Sequence, residues 1–226
     1  MSAITVAVVI PTLNEEEALR RHLPTVIDLA DEVVISDGGS TDSTPLVASE
    51  LGAPLVSGSR GRGPQMNRGV LATRADVLLF LHADTQLPPG ALEAVRSEVE
   101  RGRIGGGFLA RFDDDRPLLR LSSKLVEIRT RLTRIPLGDQ AQFATRSAFN
   151  QLGGFRDWPI LEDLDFIRRL KRQGAIGIIP RPVTTSARRY VQNGVLKTIA
   201  NNWWIWTLFF LGVPPERLVR RYRDTR

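Results

Sequence analysis

Apolar residues in the first half of the chain fall into short runs, and each run ends in an acidic or amide-bearing turn. Val6–Ile10 leads into Pro11-Thr12-Leu13-Asn14-Glu15, Val33–Ser36 into Asp37-Gly38-Gly39-Ser40-Thr41-Asp42, and Val77–Leu81 into His82-Ala83-Asp84-Thr85. Runs this short, rich in β-branched residues or leucine and followed by helical periodicity, predict parallel strands buried on both faces. Leu19, Leu23, Val26, Ile27 and Ala30 mark the buried stripe of a first helix, with Asn14 its expected N-cap and Glu17 completing a capping box. Pro45 and Gly52 bound a second helix, Pro64 is placed to open a third, and a fourth runs from Pro89 to Arg101 before Gly102.

The second half is less regular. A strand is expected from Gly105 to Phe108, another over Ala141–Ala144, and a last one over Ala175–Ile179. Leu118, Leu121, Leu125, Ile128 and Leu132 repeat at helical spacing, with Arg120, Lys124, Arg129, Arg131 and Arg134 interleaved. That stripe is expected to face the core, the alternative being an interfacial helix. Glu162-Asp163 opens a helix that Gly174 closes. The tail carries Trp203-Trp204-Ile205-Trp206-Thr207-Leu208-Phe209-Phe210-Leu211 and then an arginine-rich end. This apolar run is about half of the ~20 residues that a membrane-spanning helix needs. The fold class expected is α/β: one Rossmann-like domain with a mostly parallel central sheet over residues 1–190, and a helical, basic and aromatic extension over 191–226. Within that domain a regular first half would cover about 1–103 and a less regular second half about 104–190.

Composition narrows the function classes. The 226 residues are 42% hydrophobic and 25% charged and contain no cysteine, which excludes disulfides, thiolate chemistry and cysteine metal sites. With only His22 and His82, a multi-histidine metal site is excluded as well. The start Met1-Ser2-Ala3-Ile4 has neither the basic residues nor the long apolar stretch of a secretory leader, so a cytoplasmic protein is expected. The net charge of +6 comes mostly from arginine, whose planar fork suits phosphate. Phosphorylated small molecules, nucleic acid and anionic membranes all fit that charge, but no zinc knuckle or aromatic RNA-binding motif is visible, so nucleic acid is not the expected partner.

In a parallel α/β sheet, ligands sit where the carboxyl ends of the strands converge. Asn14, Glu15, Asp37 and Asp84 are thereby expected around one crevice. Gly58 to Gly63, with Arg60 and Arg62, is a candidate phosphate cradle ahead of a helix N-terminus. Taken singly, these residues also read as ordinary turn and capping groups, and Glu162-Asp163 as acids complementing a helix N-terminus.

Taken in order, Pro11–Glu15, Asp37–Asp42, Ala83-Asp84 and Glu162-Asp163 resemble the signature of family-2 glycosyltransferases of GT-A fold, from about Val6 to Ile179. The resemblance implies an inverting transfer of a sugar from a nucleotide sugar, most often a UDP-sugar, to a hydroxyl acceptor. It implies that Asp84 ligates Mn²⁺ or Mg²⁺, that Asp163 is the general base, and that Glu162 shapes the acceptor site. Asp37 would read the uracil imide, with Pro11, Thr12, Asn14 and Glu15 around base and ribose, and His82-Ala83 beside the donor where relatives carry the first Asp of Asp-x-Asp. Gln65-Met66-Asn67 stands where many relatives have Ala-Arg-Asn, which leaves Asn67 at the donor and asks Arg60 or Arg62 to supply the diphosphate contact. Asp139 and Gln140 would meet the acceptor, and Arg188-Arg189-Tyr190 would close over the diphosphate. The basic, aromatic tail adds the expectation of peripheral contact with the inner face of a membrane and a lipid-linked acceptor. Two other classes stay open: a sugar-phosphate nucleotidyltransferase, although Pro11–Glu15 lacks that class's glycine and lysine, and a non-catalytic basic module binding membrane or nucleic acid.

Overall fold

The computed structural model describes residues 3–219. The arginine-rich end expected after the aromatic run lies largely outside the described residues, beginning at Arg220. In chain order the elements are β1 (Val6–Thr12), α1 (Glu16–Leu29), β2 (Glu32–Asp37), α2 (Thr44–Glu50), β3 (Leu55–Ser57), α3 (Arg62–Leu71), β4 (Val77–Phe80) and β5 (Thr85–Gln86). There follow α4 (Ala91–Glu100), β6 (Gly105–Phe112), α5 (Pro117–Thr133), a 3₁₀ turn at Gly138–Gln140, β7 (Phe143–Thr145) and α6 (Arg146–Leu152). The chain ends in α7 (Glu162–Gln173), β8 (Ile176–Thr185), α8 (Arg188–Asn193), α9 (Val195–Phe210) and α10 (Pro215–Leu218).

The eight strands form one sheet in the order β3-β2-β1-β4-β7-β6-β8-β5. Four of its seven pairings are parallel and three, β4–β7, β6–β7 and β5–β8, are antiparallel. The sheet is therefore mixed, with a wholly parallel half at the β3–β4 end. Both faces are covered, which explains the unbroken apolar runs. Val6, Val8 and Ile10 of β1 enter one core with Leu19, Leu23 and Val26 of α1, while Val9 enters the other with Met66, Leu78 and Phe80. The second core carries a cluster of phenylalanines, in which Phe155 stacks on Phe166 at 4.1 Å and meets Phe80 edge-on at 4.8 Å.

β7 runs against its neighbours, with Leu79 opposite Phe143. Its incoming loop, residues 136–142, therefore arrives at the rim where β1, β2 and β4 end. An antiparallel insertion of this kind lets residues from the middle of the chain join the crevice.

Several expectations are corrected. Asn14 does not cap α1: the helix starts at Glu16, and Asn14 sits in the left-handed region at φ 54°. Its Oδ1 instead accepts the Thr41 N–H at 2.8 Å, so it ties two rim loops together. Pro64 is the third residue of α3 rather than the first. β8 continues past Ile179 to Thr185, because a register shift against β6 between Phe108 and Leu109 takes up Pro180 and Arg181. The leucine stripe of α5 does not face the core either; that helix buries Leu119, Ser122 and Thr130.

Candidate functional site

At the rim, Asp37 closes β2 and its carboxylate is saturated. Thr12 Oγ1 donates to it at 3.2 Å, the Gly39 and Ser40 N–H groups at 2.9 Å each, and Ser40 Oγ at 2.5 Å. Thr12 is fully buried and Asp37 is 2% exposed, so the pair forms a floor beneath the turn. Two residues of α3 brace that floor. Gln65 Nε2 donates to the carbonyls of Thr12 at 2.7 Å and Ser36 at 2.9 Å, and Arg68 Nη2 donates to the Asp37 carbonyl at 2.7 Å. Their partners are backbone oxygens at the ends of β1 and β2, far away in sequence, which no local spacing announces, and neither residue was expected at the site.

A crevice of about 290 Å³ lies above this rim. Pro11, Glu15, Arg62, His82, Ala83, Asp84, Asp139 and Asp163 all line it, so the rims of β1 and β4 and the β7 loop converge there. Thr12, Asn14, Asp37, Arg60, Asn67, Gln140 and Glu162 do not line it.

Three of these outer residues have other employment. Asn67 spends its amide on Phe155, donating to the carbonyl and accepting from the N–H, both at 2.8 Å, so it clamps α3 to the loop before α7. Gln140 is fully buried and bonds the Phe108 carbonyl, the Leu137 N–H and Arg129, which makes it a strut of the β7 loop. Glu162 is 2% exposed and pairs with Arg62 at 3.7 Å.

Asp163 follows as the second residue of α7. Leu161, just before the helix, holds φ 64°, a left-handed conformation that is costly for a leucine. It is held there from behind: Ile160, Ile205 and Leu218 form a small core, with Leu161, Leu208, Phe209 and Val213 packed on it. The C-terminal helices thus brace the segment that aims Asp163. The Asp163 Oδ2 accepts the Gly138 N–H at 2.6 Å and Oδ1 accepts the Leu164 N–H at 2.7 Å. A methyl placed on Gly138 would stand 3.0 Å from Asp163 Oδ2 and 3.1 Å from His82 Nε2, so a bare backbone is all that separates those two side chains.

The electrostatics of the crevice are mixed. Burial pushes the Asp139 carboxyl up, with Asp163 and Asp84 adding to the rise and the Arg129 guanidinium opposing it. Burial also lowers Arg129. Arg129 lies 5.0 Å over the Trp206 ring and donates to Gln140 Oε1 at 2.6 Å. On the opposite lip, Arg188 reaches Glu15 at 3.6 Å. Among the described residues no group of three or more His, Cys, Asp or Glu side chains gathers as a metal cage.

A carboxylate-lined crevice at the carboxyl rim of an α/β sheet is the setting of phosphorylated and nucleotide ligands. The model of glycosyl transferase family 2 matches residues 7–155, and the chain belongs to that family. An uncharacterized glycosyltransferase of Mycobacterium tuberculosis is 35% identical over 103 residues, 45% of this chain and 47% of that protein. Glucosyl-3-phosphoglycerate synthase of the same organism is 34% identical over 93 residues, 35% of this chain and 29% of the relative. The alignments thus span less than half the length of these curated relatives. The solved structure of the M. tuberculosis synthase with Mn²⁺, UDP and glucosyl-3-phosphoglycerate superimposes with a TM-score of 0.55 at 26% identity, over 80% of this chain and 70% of that one. Staphylococcus aureus TarS 1–349 gives a TM-score of 0.65 over 81% of this chain and 60% of its own, at 16% identity, a likeness of fold alone.

Proposed function

We propose that this chain transfers a sugar from a nucleotide diphosphate sugar to a hydroxyl acceptor, with UDP as the base-bearing half of the donor. The observation that carries the reading is the meeting of Asp84, from the end of the parallel strand β4, and Asp163, from the start of α7, in one crevice. The M. tuberculosis synthase, whose structure holds Mn²⁺ and UDP, supports it by likeness.

Asp84 is half-exposed at the rim, a setting suited to a cation that takes one protein carboxylate and completes its shell with substrate phosphates and water. The absence of an acidic cage among the described residues fits that mode. Such a cation, Mn²⁺ or Mg²⁺, would neutralise the charge developing on the leaving diphosphate. Arg62, lining the crevice beside Glu162, presents a further positive charge to the same oxygens. Asp37, with Thr12 beside it, lies beneath the turn where the base would rest.

Asp163 is the group that takes the proton. The Gly138 and Leu164 N–H groups fix its two oxygens and leave lone pairs for an acceptor hydroxyl. As the hydroxyl oxygen bonds to the anomeric carbon, the bond from that carbon to the diphosphate breaks and its electron pair departs with the nucleotide. The hydroxyl proton passes to Asp163, and the configuration inverts in one displacement.

A thermal-shift panel of UDP-, GDP-, dTDP- and CDP-sugars, each with and without Mn²⁺, tests this. Wild type should rise with UDP-sugars only when the metal is present, and Asp84→Asn should lose the rise. Asp163→Asn should keep it while release of UDP by donor hydrolysis falls about 100-fold or more. A shift in Asp84→Asn equal to wild type would end the proposal. Release of pyrophosphate from a nucleoside triphosphate and a sugar phosphate would replace it with the nucleotidyltransferase reading.

A further inference from the structure

We propose that the outer faces of α5 and α9 form one docking surface for an anionic lipid bilayer, onto which the crevice opens. The first observation is that α5 buries Leu119 but leaves its main apolar stripe in solvent. Leu118, Leu121, Leu125, Ile128 and Leu132 recur at intervals of three and four residues and are 44–80% exposed, while the helix turns Ser122 and Thr130 inward. An apolar stripe of this regularity is normally what a helix buries.

α9 repeats the pattern. It carries one charged residue, Lys197, and buries only Thr198 and Ile205. Leu196, Trp203, Trp204 and Phe210 are each more than half exposed, and Leu211 follows at 76%. Each stripe is about 20 Å long at 1.5 Å per residue, and extended exposed apolar surface of this kind marks an interaction site. The two helices touch through Arg129 and Trp206. Leu125 of α5 and Trp203 of α9 also line the crevice, so its mouth is rimmed by both stripes.

Charge selects the occupant. Within the described residues, the segment 186–219 holds four basic residues and one acidic one, and α5 likewise holds four and one. A second copy would bring the same positive segment against itself, whereas an anionic headgroup layer complements it. Exposed tryptophans such as Trp203 and Trp204 are suited to the boundary between headgroups and acyl chains. Among the described residues no helix is long and apolar enough to cross a membrane. The pair therefore lies in the plane of the interface. An acceptor entering from that side carries an apolar body and offers its hydroxyl at the polar end of the crevice. That consequence rests on the transferase reading; the docking does not.

The test is flotation of the full chain with phosphatidylcholine vesicles, with and without phosphatidylglycerol, at low and high salt. Wild type should float with the anionic vesicles at low salt and be released by high salt. Leu121→Glu with Ile128→Glu, and separately Trp204→Glu with Leu211→Glu, should each cut flotation at least tenfold. None of these four side chains lines the crevice, so the UDP-sugar thermal shift should survive in both variants and separate loss of docking from loss of the donor site. Wild type that stays down with every vesicle, variants that float as well as wild type, or flotation blind to lipid charge would overturn the proposal. So would a dimer in light scattering that the variants dissociate while vesicles bind none of them.

Discussion

Gly138 shows how little space separates the chemical groups of this site. Its backbone is not in the left-handed region, so alanine is conformationally allowed there, but the added methyl would press on Asp163 Oδ2 and His82 Nε2. Gly138→Ala should lower donor hydrolysis by about 10- to 100-fold, because a displacement well under an ångström is enough to misalign a base, while the melting temperature stays within about 2 °C of wild type. Comparing hydrolysis rates with melting curves decides it; a loss of rate matched by a comparable loss of stability would make Gly138 merely a packing position. That Asp84 and Asp163 share the crevice was legible in the sequence, because both fall within the ordered motifs that resemble the family's. The bracing by Gln65 and Arg68 was not, since the carbonyls they hold belong to strand ends about 30 to 50 positions away. Asn67 was assigned to the donor by its neighbours in sequence, and its amide proved to be taken by Phe155.

Among the elements, α3 works as a brace with two sides. One side holds the β1 and β2 turns through Gln65 and Arg68, and the other holds the loop before α7 through Asn67. Asn67→Ala would strand both the N–H and the carbonyl of Phe155, at a cost of about 2 kcal/mol. That is a fall of roughly 4–8 °C in melting temperature for a chain of this size. Metal-dependent donor binding should persist in the variant, and its loss in a thermal-shift assay would place Asn67 at the donor after all. The long strands and helices were legible because their periodicity is sustained. β3, β5 and α6 were not, being two, three or seven residues long and formed only where a neighbour offers a partner. The end of β8 was missed because Pro180 reads as a stop, and only the register shift lets the strand continue.

Over the whole molecule, the parallel half is pinned at the rim opposite the crevice. The Thr5 N–H and Oγ1 both donate to Asp76 Oδ2, at 3.0 and 2.9 Å, joining the starts of β1 and β4. These bonds hold the Asp76 carboxyl below its usual range. A depressed carboxylate contributes stability above its unfolded pKa, and that contribution is lost as pH falls through the folded value. Asp76→Asn should therefore melt below wild type at neutral pH, with the gap closing as pH drops through and below the ordinary carboxylate range. Melting curves from pH 7 down to about 3 would check this, and a gap that stays constant over that window would refute the linkage.

The order of strands across the sheet also sets an order in time. While the chain is being made, β1, β2, β3 and β4 can pair with one another as soon as residue 80 is free, because those three pairings use nothing beyond it. β6 cannot: its neighbours β7 and β8 begin only at residues 143 and 176. For some sixty residues of synthesis, then, β4 is a bare edge able to pair with another nascent chain, until β7 arrives to cover it.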